Sequence, residues 1–175
     1  MRRLYLLRHA KSSWELAGQL DYERGLTERG WNDCELISEL ILEREIAPDF
    51  VYCSGARRAR DTLQGVAHAL PRDAKVEFED AIYQASTKDL LDVLRGVPKK
   101  YESVLLVGHN PSMHDLSVAI GRESDELIRV ATKFPTAALA EFELDGEWAD
   151  LGEDTAELTH FTRPKQLRVG EHETL

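Results

Sequence analysis

The sequence predicts an α/β fold, a single three-layer domain with a mostly parallel central sheet and helices on both faces. Three observations predict it. Residues 4–7, 50–53 and 103–108 are short apolar runs without polar alternation, as in strands buried on both faces. Stretches with apolar residues at helical spacing stand between these runs, so strand and helix alternate. The chain has 175 residues, 42% hydrophobic and 31% charged, which is one globular domain with a real core.

Residues 4–7 follow Met1-Arg2-Arg3 and stop at Arg8-His9. That is too short for the apolar core of a secretion signal, and no small-residue cleavage site follows. The run reads as a first strand and the protein as cytoplasmic. No apolar run approaches the roughly 20 residues of a membrane helix. Residues 10–27 are polar, carry Gly18 and Gly25, and read as a long loop. Thr27 is placed to cap a helix in which Trp31, Cys34, Ile37, Leu40 and Ile41 recur at helical spacing as far as about Glu45. Pro48 breaks the chain. Ser54-Gly55 turns from the second strand into a helix whose apolar face is Ala59, Leu63, Val66 and Leu70, ended by Pro71.

Residues 75–78 alternate as a short strand. Residues 87–95 form a helix with Leu90, Leu91 and Leu94 inward, stopped near Gly96 and Pro98. After the strand at 103–108, Asn110 is expected to cap a helix and Pro111 to open it. That helix carries Met113, Leu116, Ser117 and Ile120 and ends at Gly121. Residues 138–145 alternate as a half-exposed strand. Beyond about Trp148 the pattern is polar and weak. The domain is set at residues 1–165, with 166–175 a flexible tail. The sequence holds no repeat, low-complexity tract or linker that would divide it.

The formal net charge is −10, from 22 Lys and Arg against 32 Asp and Glu. Nucleic-acid binding leaves a basic footprint, so this balance argues against it. It argues equally against an acidic membrane surface. An anionic substrate then requires cations gathered locally. Cys34 and Cys53 have no metal-ligand spacing and read as reduced, buried thiols.

Ligands of open α/β sheets bind beyond the carboxyl ends of the strands. Three such ends carry Arg or His: Arg8-His9-Ala10-Lys11-Ser12-Ser13, Ser54-Gly55-Ala56-Arg57-Arg58-Ala59-Arg60, and Gly108-His109-Asn110-Pro111. None offers a carboxylate pair, a Walker loop or a zinc-type cluster. Three arginines at the start of a helix oppose its dipole, at about 0.3–1 kcal/mol per exposed charge. The free N–H groups there favour an anion, and a bound phosphate would offset the repulsion. Any one of these arginines could simply be solvated. Arg58 is singled out because two other strand ends present cations and imidazoles.

These residues resemble the histidine phosphatase superfamily, which also contains phosphoglycerate mutases. Leu6-Leu7-Arg8-His9-Ala10 is similar to its Arg-His-Gly signature. Leu26-Thr27-Glu28-Arg29-Gly30 resembles its Leu-Thr-x-x-Gly segment. Ser54 to Thr62 resembles its Ser-Pro-x-x-Arg-Ala-x-x-Thr segment, and Val107-Gly108-His109-Asn110 its second histidine motif. The match runs from residue 4 to about 145. The short chain and the Arg-His-Ala-Lys-Ser start most resemble the SixA-like branch of phosphohistidine phosphatases. The resemblance implies a phosphoglycerate mutase-like fold, His9 as nucleophile, and Arg8, Arg58 and His109 as the clamp on the phosphoryl oxygens. Two guanidiniums and an imidazolium suffice for that charge without a metal or other cofactor. Lys11 and Ser12, with Ser13, are candidates for substrate binding at the rim, or for a solvated loop. Trp14 and Tyr22 either line the entrance or pack the loop onto the body.

Two departures from the family pattern matter. Ala10 and Gly55 stand where the family has Gly and Pro. Many relatives also carry an acidic proton donor after the third strand, where this chain has Tyr83-Gln84, with Glu79 and Asp80 nearby. Without an acid a phosphate ester is a poor substrate, because an alkoxide leaves badly. A phosphohistidine suffers less, since a protonated imidazole ring leaves neutral. The leading expectation is therefore a phosphatase acting on phosphohistidine in a protein. A small-molecule phosphomonoesterase and a non-catalytic phosphate-binding regulatory module are the alternatives. The partner is a phosphorylated protein or a small phosphorylated compound. His68, His160 and His172 are given no role. A His9/His109/His114 metal site lacks an acidic partner at a sensible spacing, so no metal is expected.

Overall fold

A computed structural model describes residues 1–14 and 16–170, with side chains as far as Arg168. Among the described residues six strands form one sheet: β1 (Arg2–Arg8), β2 (Phe50–Cys53), β3 (Lys75–Phe78), β4 (Ser103–Gly108), β5 (Leu139–Leu144) and β6 (Ala156–Thr162). Their spatial order is β3-β2-β4-β1-β5-β6. The β1–β4, β4–β2 and β2–β3 pairings are parallel, whereas the β1–β5 and β5–β6 pairings are antiparallel. The α-helices of the described residues flank the sheet: α1 (Glu28–Glu43), α2 (Arg57–Val66), α3 (Thr87–Arg95), α4 (Ser112–Ile120), α5 (Asp125–Thr132) and α6 (Pro164–Gly170). Among the described residues no helix is long and apolar enough to cross a membrane.

The period of two along each strand divides the core into two layers. Leu4, Leu6, Val104, Leu106, Ala140 and Phe142 face α3, α4 and α5, where they meet Leu90, Leu94, Met113, Leu116, Ile120 and Val130. Tyr5, Leu7, Val51, Cys53, Leu105 and Val107 face α1 and α2, against Cys34, Ile37, Ile41, Ala59, Leu63 and Val66. Register brings the strand ends level: Leu4 pairs with Val104, Leu6 with Leu106, and Arg8 with Gly108. On the other side of β4, Cys53 pairs with Val107. The segments leaving β1, β2 and β4 therefore emerge at one height.

The expected helix at Thr27 forms with that residue as its cap, the hydroxyl accepting from Gly30 N at 3.1 Å. Trp31, placed on the apolar face by spacing, is instead among the exposed large hydrophobics. The loop at residues 10–27 contains a one-turn 3-10 helix over Asp21–Glu23 and a bridge between Ser12 and Leu26. A β-carbon on Gly30 would lie 2.3 Å from the carbonyl oxygen of Lys11, so α1 starts in direct contact with this loop.

Four expectations differ from the structure. The helix after His109 starts at Ser112, with Pro111 rather than Asn110 in the cap position. The Asn110 amide is committed elsewhere, donating to Phe134 O at 2.8 Å. β5 is buried almost throughout rather than half-exposed, because β1 and β6 flank it and helices cover its faces. The weakly patterned stretch beyond Trp148 contains β6. Finally, the expected tail from residue 166 is helical through 170. Arg168 reaches back to buried Asp33 on α1, Nη2 to Oδ1 at 2.5 Å, which gives this polar segment its anchor. Residues 171–175 lie outside the described residues.

Candidate active site

Arg8 ends β1, and His9 follows it with its amide donating to Gly108 O on β4 at 3.0 Å. Ser54 follows β2 and donates its amide to Val107 O at 3.0 Å. Arg58 is the second residue of α2, and His109 follows β4. The His9 and His109 ring centroids are 5.2 Å apart. Thr62 of α2 binds the two segments together. Its hydroxyl accepts from Ala10 N at 2.9 Å and donates to Arg58 O at 2.7 Å. The structure thus gathers Arg8, His9, Arg58 and His109, all buried apart from half-buried Arg8, into one cluster at the carboxyl end of the parallel strands.

Hydrogen bonding fixes the tautomer of His9. His9 Nδ1 lies 2.8 Å from the carbonyl oxygen of Ala10, which can only accept, so Nδ1 carries the hydrogen and Nε2 keeps its lone pair. Ser54 Oγ accepts from Ala56 N at 3.2 Å and lies 2.7 Å from His109 Nε2. The serine hydroxyl can donate to that nitrogen or accept from it, so this contact holds the His109 ring in place in either tautomer. Burial pushes His9 down to about 3, against the pull of its bond to Ala10, with His109, Arg58 and Arg8 adding repulsion. Burial and Arg58 bring His109 down to about 4, against the attraction of Asp21. Both rings are therefore neutral at pH 7. The sequence argument gave the clamp an imidazolium; here the ring is neutral, because burial, and then Arg58, Arg8 and Arg24, disfavour another charge.

Buried side-chain nitrogens and oxygens without a hydrogen-bond partner concentrate in this cluster. Among the described residues they are Arg8 Nε, Arg58 Nε, His109 Nδ1, Asn110 Oδ1 and, elsewhere, Arg2 Nε. Buried donors without acceptors are costly in a finished fold and suited to an anion. The far ends of the guanidiniums are occupied. Arg8 Nη1 donates to Phe134 O at 3.0 Å. Arg58 donates from Nη1 to Asp21 O at 2.8 Å and from Nη2 to Asp21 Oδ2 at 3.0 Å.

Asp21 is a residue that sequence reasoning missed. Its carboxylate also accepts from Tyr83 Oη at 2.7 Å and from Arg24 Nε at 3.0 Å. Burial works to raise its pKa, but the Tyr83 hydroxyl, the Arg58 charge and the Arg24 bond bring it down to about 2. Tyr83 also borders the site, its ring centroid 5.6 Å from that of His109. Asp21 and Arg24 sit in an aperiodic polar loop, and no spacing signal marks them. Ser54 was noted as part of a turn and of a family segment, without a role of its own.

Ser12 is buried, but its hydroxyl accepts from Arg24 Nη1 at 2.9 Å, so it steadies Arg24. Lys11 is exposed, and its carbonyl oxygen accepts from Thr27 N at 2.9 Å. Trp14 is 74% exposed and stacks on Arg24, whose guanidinium carbon is 3.4 Å from the ring centre. Gln84 is exposed, Glu79 caps a short 3-10 helix through Ala81 N, and Asp80 accepts from Tyr22 Oη at 2.9 Å. Gly55 gives this last pair room, since a β-carbon there would lie 2.0 Å from Tyr22 Oη. His114 bonds Ala131 O at 3.0 Å, away from the histidine pair.

A profile of the histidine phosphatase superfamily (branch 1) matches residues 4–86. The chain is 31% identical over 163 residues to an uncharacterized protein of Mycobacterium tuberculosis (strain ATCC 25618 / H37Rv), covering 91% of this chain and 100% of that one. It is similar to the structure of a candidate phosphohistidine phosphatase, SixA, from Agrobacterium tumefaciens, with 32% identity and a TM-score of 0.78 over 93% of this chain and 99% of the other. The corresponding SixA structure from Nakamurella multipartitia gives 28% identity and a TM-score of 0.83 over 93% and 96%. With its phosphoglycerate mutase-like fold and these relatives, the chain belongs to the histidine phosphatase superfamily, as a SixA-like member.

Proposed function

We propose that the protein is a phosphatase that forms a covalent phosphohistidine on His9 and acts on phosphohistidine in a protein. The observation that carries this reading is the neutral His9 ring, its Nε2 lone pair uncommitted, in a cluster with the unpartnered Arg8 Nε, Arg58 Nε and His109 Nδ1. In the first step His9 Nε2 attacks phosphorus, and the bond from phosphorus to the substrate's ring nitrogen breaks. The substrate imidazole, protonated beforehand on its other nitrogen, leaves neutral. In the second step water attacks the phosphoryl group on His9, releasing inorganic phosphate and the free ring. Arg8, Arg58 and His109 meet the charge on the phosphoryl oxygens, so the reaction runs without a metal.

The acid inventory favours phosphohistidine over a phosphate ester. Asp21 is bonded directly to Arg58 of the clamp, and it stays ionised down to about pH 2. It has no proton to give an alkoxide at neutral pH. Glu79 and Asp80 are occupied with Ala81 N and Tyr22. The cytoplasm suits this role and the two free, buried cysteines.

The test is phosphate release from a phosphohistidine peptide and from p-nitrophenyl phosphate, with and without chelator, for wild type and His9→Ala. The expected result is faster release from the peptide, no effect of chelator, and a loss in His9→Ala of about a thousandfold or more. Activity that survives His9→Ala would place the chemistry on another residue. Faster cleavage of the ester would reverse the substrate assignment.

A further inference from the structure

The end of the sheet that carries the active site continues across the antiparallel strands, and there it is strongly basic. A cavity of about 250 Å³ is lined by Arg29, Lys133, Arg163, Lys165 and Arg168, with Asp33 as its one carboxylate. Each arrives by topology. Arg29 is in the first turn of α1, Lys133 precedes β5, and Arg163 and Lys165 follow β6. Asp33 is shared by Arg168 at 2.5 Å and Arg29 at 4.0 Å. Among the described residues, Lys133, Arg163 and Lys165 have no carboxylate within ion-pair distance. Five cations against one anion is a large local excess in a chain of net charge −10. Like charges gathered this way repel, and an anion bound among them offsets the repulsion.

Residues next to the cavity's lining also touch the catalytic cluster. Lys133 and Pro135 flank Phe134, whose carbonyl oxygen accepts from both Arg8 and Asn110. Arg29 lies beside Gly30, which packs on Lys11, two residues past His9.

We infer that this cavity is a second anion subsite, which takes a carboxylate or phosphate group of the substrate while the phosphoryl group under attack lies at His9. The inference rests on the proposed function and specifies its substrate: a molecule with a second anionic group beside the first. That group is either an acidic side chain near a phosphohistidine or the second phosphate of a small compound. Lys133 and Lys165 are exposed and lie outside the reacting cluster, so their replacement leaves the chemistry in place.

The experiment compares kcat and KM of wild type and the double variant K133E/K165E. The substrates are p-nitrophenyl phosphate, a hexose bisphosphate and two phosphohistidine peptides, one flanked by glutamates and one by alanines. In wild type, KM for the acidic peptide is expected about tenfold below that for the neutral one, and raised salt should narrow the gap. The double variant should erase the gap through KM and leave both constants on p-nitrophenyl phosphate unchanged. The same dependence on the bisphosphate, with no difference between the peptides, would assign the group to a small compound. Equal KM for the two peptides together with an unaffected bisphosphate, or an equal loss on every substrate, would overturn the subsite. If wild type cleaves none of the four, the proposed function fails, and titration with inorganic pyrophosphate then decides the subsite alone. Binding that K133E/K165E abolishes would sustain it, and binding that the variant leaves unchanged would end it.

Discussion

At residue scale, a single carbonyl decides which nitrogen of His9 can react. Ala10 O holds the hydrogen on Nδ1, and burial among cations keeps the ring uncharged. This has a cost that shows in pH dependence. An unfolded histidine takes a proton below about 6.5. In the folded protein His9 does so only near 3 and His109 near 4. The unfolded state therefore binds more protons across that window, and stability must fall as pH drops from about 6.5 towards 4. His9→Gln should flatten that decline in a series of thermal melts, while the melting point at pH 8 changes little. A decline of unchanged steepness would mean the ring is not held neutral in the fold.

Asp21 acts in the same direction, at lower pH. Its folded pKa is depressed to about 2, so its contribution is present above the usual carboxylate range and lost only as pH falls towards 2. Its side chain is 41% exposed, which limits its worth to stability. Its effect should appear in the reaction, since it occupies both Nη groups of Arg58 and leaves Nε unpartnered. Asp21→Ala should lower kcat by roughly 10- to 100-fold with little change in melting temperature. Asp21→Asn, which can still accept from Arg58, should recover part of the loss.

At the scale of elements, each contact between helix and loop has its own test. Gly30 is where α1 meets the loop after His9, and Gly30→Ala puts a β-carbon 2.3 Å from Lys11 O. Backbone cannot yield as a side chain does, so a loss of about 1–3 kcal/mol is expected from chemical denaturation. Thr27→Ala removes the cap of the same helix and should cost about 1 kcal/mol, with activity intact.

The elements readable in the sequence were those whose fate local pattern decides. The runs at 50–53 and 103–108 are apolar because both faces of those strands are covered, and the turn at Ser54-Gly55 announces α2. The three strand ends bearing Arg8-His9, Arg58 and His109 were likewise readable, since topology alone brings them together. Less legible was whatever tertiary partners decide. β6 is an edge strand whose Glu157 and His160 are exposed, and α6 is short, held by Leu167 on the core and by a buried aspartate 135 positions earlier in the chain. α5 went unread in the stretch after Gly121. The Asp21–Arg24–Tyr83 arrangement draws on residues 62 positions apart and leaves no local trace.

At the scale of the whole molecule, the sheet has a parallel half, whose ends hold the reacting side chains, and an antiparallel half next to it. The two halves share one continuous core layer through Leu4, Leu6, Ala140 and Phe142. The register that levels Arg8 with Gly108 is the same register that sends Leu4 and Leu6 to one helix layer and Tyr5 and Leu7 to the other. A slip of one residue would drive Arg3 into the core and turn leucines outward. A chain that misaligned its chemistry would also betray itself as misfolded and be cleared. Selection on solubility and turnover thereby proofreads the geometry of the reaction, and no catalytic residue has to be inspected directly.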